Sequence, residues 1–230
     1  MPAFWPPRRI SSGLRCRPCK GGVFVSEREQ WLKWAVELQA LAQAGLCYGH
    51  DKYDLERYRR IREISAEMVA RQADLPLEKV QDLFCSETGY QTPKLDTRAA
   101  IFQGEKILLV QESDGLWSLP GGWADVDITV KENTVKEVKE EAGLDVTADL
   151  VIALQEQRRR NRPVNAYGIC KVFVLCSLLG GSFQPNLETL DSRWFALDEL
   201  PPLSTGKTTE EQIRMCFDAY HAEHWTTLLD

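Results

Sequence analysis

The sequence predicts an α+β protein in two parts, a small all-helical unit followed by a larger unit whose mixed sheet carries helices on its faces. Three observations point there. Apolar residues recur with a helical period from Glu29 to Phe84, the period changes to that of strands after Pro93, and two further helical segments interrupt the strand candidates. The chain has 230 residues, 43% hydrophobic and 27% charged, enough for one substantial domain and a small companion. The expected divisions are a tail at 1–27, a helical domain at 28–86 and the sheet-bearing domain at 87–230.

The first 27 residues hold Pro2, Pro6, Pro7 and Gly21-Gly22 without apolar periodicity, which predicts a disordered or loosely attached tail. Cys16 and Cys19 have the spacing of half a zinc site, but no second pair follows to complete four ligands, so they read as inert thiols. In the first helix Trp31, Trp34, Leu38 and Leu41 share one face, and Gly45 suits a C-terminal cap. A second helix is expected from near Asp54, with Leu55, Tyr58, Ile61, Ser65 and Met68 on its inner stripe. A third follows Asp74, with Pro76 in its first turn and Val80, Leu83 and Phe84 as its apolar face. Three helices make a marginal core, so this unit leans on the rest of the chain or on a second copy. Its aromatics Trp31, Trp34, Tyr48 and Tyr53 read as core residues or as stacking partners for a base.

Residues 85–93 break the helical pattern and read as the linker. Strands are expected at 97–102 and 106–111, joined across Gln103-Gly104-Glu105, and at 116–119 after Asp114-Gly115. A helix at 129–142 follows, then strands at 146–156, 167–178 and 192–196, and a last helix at 208–221. Cys47, Cys85, Cys170, Cys176 and Cys216 read as small buried hydrophobes.

Charge narrows the function classes. Arg8, Arg9, Arg15, Arg17 and Lys20 are the only charged residues among the first twenty, so of the 28 basic and 34 acidic residues the remainder holds 23 against 34, a net of −11. An acidic body argues against a protein that coats nucleic acid, because such binding rests on lysines and arginines neutralising phosphates. No apolar run reaches the roughly 18 to 20 residues of a membrane-spanning helix, so no membrane partner is expected. Seven cysteines and no secretory hydrophobic start read as a reducing, cytoplasmic protein.

The chemistry concentrates in Leu119-Pro-Gly-Gly-Trp-Ala-Asp-Val-Asp-Ile-Thr129 and the helix after it. Thr129 with Glu132 forms a capping box and Gly143 a C-cap, so both helix ends are specified locally. Glu137, Glu140 and Glu141, at i, i+3 and i+4, project from one face opposite Val135, Val138 and Ala142. Three carboxylates on one patch, two of them near the helix C-terminus, repel each other. They are either a solvated face neutralised by Lys136 and Lys139 or a site for a hard divalent cation such as Mg²⁺.

The strand, glycine turn and glutamate helix together resemble the signature of the Nudix hydrolases. The leading glycine falls on Gly122 and the closing run on Lys136 to Leu144, so that Glu137, Glu140 and Glu141 stand at the metal-ligand glutamates. The resemblance implies a Nudix-type α/β/α sandwich, Mg²⁺ or Mn²⁺ as cofactor, and hydrolysis of a pyrophosphate linkage. Two positions depart: Ile128 replaces the expected early glutamate, whose bracing role Asp125, Asp127 or Glu132 could take, and Lys136 replaces an arginine, keeping the charge without its bidentate geometry. A narrower resemblance over 29–220 rests on Trp31, Trp34, Asp54-Leu-Glu-Arg-Tyr58, Glu87-Thr-Gly-Tyr-Gln-Thr-Pro93, Gly122-Trp-Ala-Asp-Val126, Glu132-Asn133 and Asp198-Glu-Leu-Pro-Pro-Leu-Ser204. It is similar to the Nudix subgroup with an N-terminal helical domain, and implies ADP-ribose or CDP-choline type substrates and a homodimer.

The catalytic set this implies is Glu137, Glu140 and Glu141 with Glu188, the last being either a loop acid of the site or an ordinary turn residue. Glu137 or a loop glutamate would accept the proton of the attacking water. The candidate substrate-binding set is Gly121, Gly122, Arg98 and Arg158. Arg98 contacts the diphosphate or forms a structural salt bridge; Arg158, in the run Arg158 to Arg162, reaches phosphates or is simply solvated. Ser204-Thr-Gly-Lys-Thr208 has the end of a phosphate-binding P-loop but lacks its first glycine and its preceding strand, and is set aside. His221 and His224 lack a third ligand and read as solvated. A sensor of the same fold, without turnover, is the alternative function.

Overall fold

A computed structural model describes residues 27–163, 168–186 and 188–230. Apart from Glu27, the expected tail and its Cys16 and Cys19 lie outside the described residues, as does the side chain of Leu83.

Three helices, α1 (Glu27–Tyr48), α2 (Lys52–Ala73) and α3 (Leu77–Phe84), form the first unit. The Asp51 carboxylate caps α2 by accepting from the backbone N–H groups of Tyr53 and Asp54 at 2.9 and 3.1 Å. Small residues set how closely the helices approach. Ala35 and Ala66 are buried in the shared core, and the Ser65 hydroxyl donates to the Ala35 carbonyl at 2.7 Å. Gly45 is not the expected cap: α1 continues through it, and a Cβ there would meet the Tyr58 ring at 2.5 Å. The glycine is needed for contact with α2, not for ending α1.

This packing leaves the wider apolar face of α1 outside. Trp31, Trp34, Leu41 and Tyr48 are 42%, 46%, 58% and 62% exposed, which overturns their reading as core. The helix has two apolar faces, and the one made of small side chains wins the intramolecular contact because it permits close approach. Cys47 is likewise exposed and Cys85 and Cys170 are half-buried, so that of the five only Cys176 and Cys216 are buried as expected.

The linker touches both units: Gln43 donates from Nε2 to the Gly89 carbonyl at 3.0 Å, and Glu87 pairs with Lys94 at 2.7 Å. Beyond it the described elements are β1 (Lys94–Gln103), β2 (Lys106–Glu112), β3 (Trp117–Ser118), α4 (Val130–Ala142), β4 (Leu144–Glu156), α5 (Gln157–Arg160), β5 (Ile169–Gly181), β6 (Thr189–Phe195), α6 (Glu210–His221) and β7 (Leu228–Leu229). The strands run in the order β3-β2-β1-β5-β4-β7, with β6 also paired to β2. β1 lies parallel to β5 and antiparallel to β2, so the sheet is mixed.

The two-residue period of the strands divides the core. Ala99, Ile101, Leu108, Val110, Val172 and Val174 pack against Val138 and Ala142 of α4 on one face. Ala100, Ile107, Leu109 and Phe173 pack against Ile213, Cys216 and Phe217 of α6 on the other. The result is the expected α/β/α sandwich. The basic run from Arg158 begins within the short helix α5, and β7 was not foreseen; it adds to the edge at β4. Among the described residues no helix is long and apolar enough to cross a membrane.

Candidate active site

The site grows from a turn fixed to β1. Thr97 N–H donates to the Gly122 carbonyl at 2.9 Å, Ala99 N–H to that of Pro120 at 2.8 Å, and Ala124 N–H to that of Leu95 at 3.0 Å. Gly121 has φ +143°, and a Cβ there would lie 1.9 Å from the Thr97 carbonyl oxygen, so only glycine fits. At Gly122 a Cβ would stand 2.6 Å from Glu137 Oε2; the bare backbone leaves that space to the carboxylate.

Helix α4 presents the glutamates at a defined position because both of its ends are closed. Thr129 and Glu132 form the full capping box, and Gly143 ends the helix at φ 68°. Asn133 ties the helix to β1, donating from Nδ2 to Thr97 Oγ1 at 2.8 Å. Glu141 Oε2 accepts from Gly121 N–H at 2.8 Å, which joins helix and glycine turn directly.

These elements open onto a cleft of about 460 Å³. Glu137, Glu140, Glu141 and Glu188 line it together with Gly121, Gly122 and Arg98, so seven of the eight residues singled out from the sequence face one space. The Glu188 segment is held against α4 by Asn186, whose Nδ2 donates to the Glu140 carbonyl at 2.9 Å. Arg158 is absent from the lining. The α5 turn brings Gln157 to the cleft instead, and the Arg158 guanidinium lies 3.9 Å from Glu156.

Burial sets the electrostatics of the acidic side. It pushes the Glu141 carboxyl up to about 7, against the Gly121 hydrogen bond and the Arg98 charge that favour the anion. Glu137 is also raised, chiefly by burial. The lysine at 136 has partners of its own. Lys136 Nζ pairs with Asp125 at 3.0 Å and stands 3.6 Å from both Glu137 and Glu140. The Asp125 contact above all raises Lys136 to about 12. Glu132 is committed to the helix cap, so of the candidates for bracing, Asp125 takes the contact with Lys136.

Cations line the same cleft. Asp96, Arg98 and Lys171 form a buried cluster in which Arg98 donates from Nη2 and Nε to Asp96 at 2.8 and 3.2 Å, and Lys171 Nζ pairs with Asp96 at 2.5 Å. Burial raises Asp96, but the charges of Arg98 and Lys171 outweigh it and hold the carboxyl below its ordinary range. Burial and the neighbouring Arg98 charge lower Lys171 to about 8. Arg98 is therefore both a structural ion-pair partner and a lining residue.

Three carboxylates on one helix face are hard oxygen donors of the type that Mg²⁺ or Mn²⁺ accepts, and the donor chemistry fits such an ion. In the arrangement described, Lys136 and the Gly121 N–H engage them, and among the described residues no three histidine, cysteine or acidic groups gather closely enough to hold a metal.

Fold and glutamate cleft together define a hydrolase of the Nudix class. Residues 92–215 match the family described as the NUDIX domain, and residues 29–84 that described as the UDP-X-like, N-terminal oligomerisation domain. The chain belongs to the Nudix hydrolase family and is a Nudix pyrophosphohydrolase with an N-terminal domain of this type. It is 39% identical over 207 residues to a Bacillus subtilis (strain 168) protein provisionally named ADP-ribose pyrophosphatase YjhB, across 90% of this chain and 100% of that one. The crystal structure of an ADP-ribose pyrophosphatase from Streptococcus suis 89-1591 is 62% identical, covers 60% of this chain and 100% of its own, and superposes with a TM-score of 0.57. That of a UDP-X diphosphatase is 32% identical over 88% of this chain and 100% of its own, also with a TM-score of 0.57.

Reading the sequence missed Asp96, Lys171, Gly206 and Lys207, all of which line the cleft. For Lys171 the available signal was a charge inside the apolar run Ile169 to Leu175. For the other pair it was the Gly-Lys-Thr segment, which is no P-loop but does face the site.

Proposed function

We propose that the protein is a divalent-metal-dependent pyrophosphohydrolase that cleaves nucleoside diphosphate derivatives of a small group X, ADP-ribose foremost, to a nucleoside monophosphate and phospho-X. The observation that carries this reading is the placement of Glu137, Glu140 and Glu141 on one rigid helix beside a cleft that also holds Arg98 and Lys171. In this reading those three glutamates hold Mg²⁺ or Mn²⁺, which when bound screens the diphosphate and lowers the pKa of the attacking water. Water adds its oxygen to one phosphorus, the bridging P–O bond breaks, and the bridging oxygen leaves with the other phosphate. Glu137 or Glu188 takes the proton from the water. The Gly121-Gly122 turn holds its backbone against the substrate and, through Glu141, keeps the helix in place.

ADP-ribose stands ahead of CDP-choline because two of the similar proteins carry the former in their names. A homodimer is part of the proposal. Trp34, Leu41 and Tyr48 lie seven residues apart on the exposed face of α1, a spacing suited to pairing with a second helix, within a segment matched to an oligomerisation domain. The cytoplasmic assignment is supported by the five described cysteines, all free thiols.

The test is monophosphate release from ADP-ribose, CDP-choline and a UDP-sugar in Mg²⁺ or Mn²⁺, with Glu140→Gln and Glu141→Gln as controls. Turnover of ADP-ribose that is lost in both variants is the expected result. Binding without cleavage by the parent protein would sink the hydrolase reading in favour of the sensor.

A further inference from the structure

We propose that Lys171 and Lys207, braced by Arg98, form a phosphate-binding floor that grips the substrate's diphosphate without help from the glutamate helix. The inference rests on the pyrophosphohydrolase reading for its substrate class, and on three observations for its residues.

The first is an incomplete set of hydrogen bonds. An ammonium has three donors, and burying one without partners is costly. Lys171 is 2% exposed yet lines the cleft, and among the described residues its one hydrogen-bond partner is Asp96. Arg98, by contrast, commits Nε and Nη2 to Asp96 and Nη1 to the Leu119 carbonyl at 3.2 Å. Arg98 thus spends three of its five N–H donors on orienting Asp96 and holding the Leu119 carbonyl, while Lys171 spends one of three and keeps two for a ligand.

The second is the charge count. Arg98 and Lys171 share the single carboxylate of Asp96, and Lys207 pairs with Glu112 at 2.5 Å. These three cations have two carboxylate partners, Asp96 and Glu112; Glu141 of α4 adds a charge that reaches Arg98, and Glu137, Glu140 and Glu188 line the rest of the cleft. The three cations thus sit together with one direct carboxylate partner fewer than their number, and an anion set against them would make up that difference locally.

The third is the fixed turn that carries Lys207. Lys207 N–H and Thr208 N–H both donate to the Ser204 carbonyl at 2.8 Å, and Thr208 Oγ1 accepts from Leu119 N–H at 3.1 Å. The half-exposed Lys207 is thus held on a backbone anchored to the strand that leads into the glycine turn. Lys171 and Lys207 also lie near enough to feel each other's charge. Two ammonium groups brought together at a cleft suit a diphosphate better than any neutral ligand.

Isothermal titration of the full chain with α,β-methylene-ADP in EDTA tests the floor apart from metal and turnover, with adenosine as the uncharged control. The parent protein is expected to bind the analogue and not adenosine. Lys171→Met and Lys207→Met should each weaken it about 10- to 100-fold, and Lys171→Arg should restore most of the affinity. With Mg²⁺ and ADP-ribose the methionine variants should raise KM more than they lower kcat. Lys207, at the surface, carries the test if Lys171→Met fails to fold. Unchanged affinity in Lys207→Met, or in the double methionine variant where it folds, would overturn the floor. Cleavage of ADP-ribose by a parent whose lysine variants bind normally leaves the hydrolase standing and removes the floor. Lysine-dependent binding by a parent that cleaves nothing does the reverse.

Discussion

Replacing Glu141 by glutamine should stabilise the metal-free protein at pH 8 and leave it unchanged at pH 5. Burial raises this carboxyl from 4.5 to about 7, so between those values the folded state binds a proton that the unfolded chain has released. Stability therefore falls as pH rises through that window, and the deficit is fully present above pH 7. A shift of this size corresponds to a ceiling of about 3 kcal/mol. Water at the open cleft screens part of it, so we expect about 1 to 2 kcal/mol. Glutamine keeps the oxygen that accepts from Gly121 N–H, so the hydrogen bond between helix and turn survives. The assay is thermal unfolding of parent and variant in EDTA at pH 5 and pH 8. A rise of roughly 3 to 6 °C at pH 8 is expected. A variant no more stable than the parent at pH 8, or stabilised equally at pH 5, would refute the reasoning.

Gly121→Ala forces a side chain against the Thr97 carbonyl at a backbone angle alanine resists, and should cost about 3 kcal/mol or more in urea unfolding while abolishing pyrophosphatase activity. Asp96→Asn leaves Arg98 and Lys171 buried without their anion, and should cost about 3 to 5 kcal/mol by the same measurement. Adding Lys171→Met should return part of that loss, and a simple sum of the two effects would contradict the shared-partner arrangement. Trp34→Ser with Leu41→Ser should convert the proposed homodimer to monomer in light scattering, and a mass equal to that of a dimeric parent would count against α1 as the contact.

Where local rules decide, the sequence was legible. Helix α4 lies where the capping box and Gly143 put it, because both ends are fixed within the helix's own neighbourhood. The change of period after Pro93 located the sheet for the same reason. Partner choice was the obscure part. Trp31, Trp34, Leu38 and Leu41 form the more apolar face of α1, yet the contact with α2 goes to Ala35 and Gly45, since distance between helix axes depends on small side chains that carry little hydrophobic signal. Lys171 was hidden because a lysine in a strand is ordinarily placed at an edge, and only β1, alongside in parallel register with Asp96 opposite, makes its burial tolerable. Arg158 misled in the opposite sense: a basic run looks like a phosphate contact, but one helical turn sends Gln157 to the cleft in its place.

Backbone hydrogen bonds from Thr97, Ala99 and Ala124 stitch the glycine turn to β1 along its whole length, so this lip of the cleft cannot swing apart from the sheet. Glu141 and Asn133 extend the same seam into α4. For the proposed diphosphate substrate this side of the cleft is ordered beforehand, so that little binding energy is diverted to ordering the turn. Encounter is then set by diffusion and by the charges at the cleft, and the association rate should follow ionic strength more closely than any rearrangement of the loop.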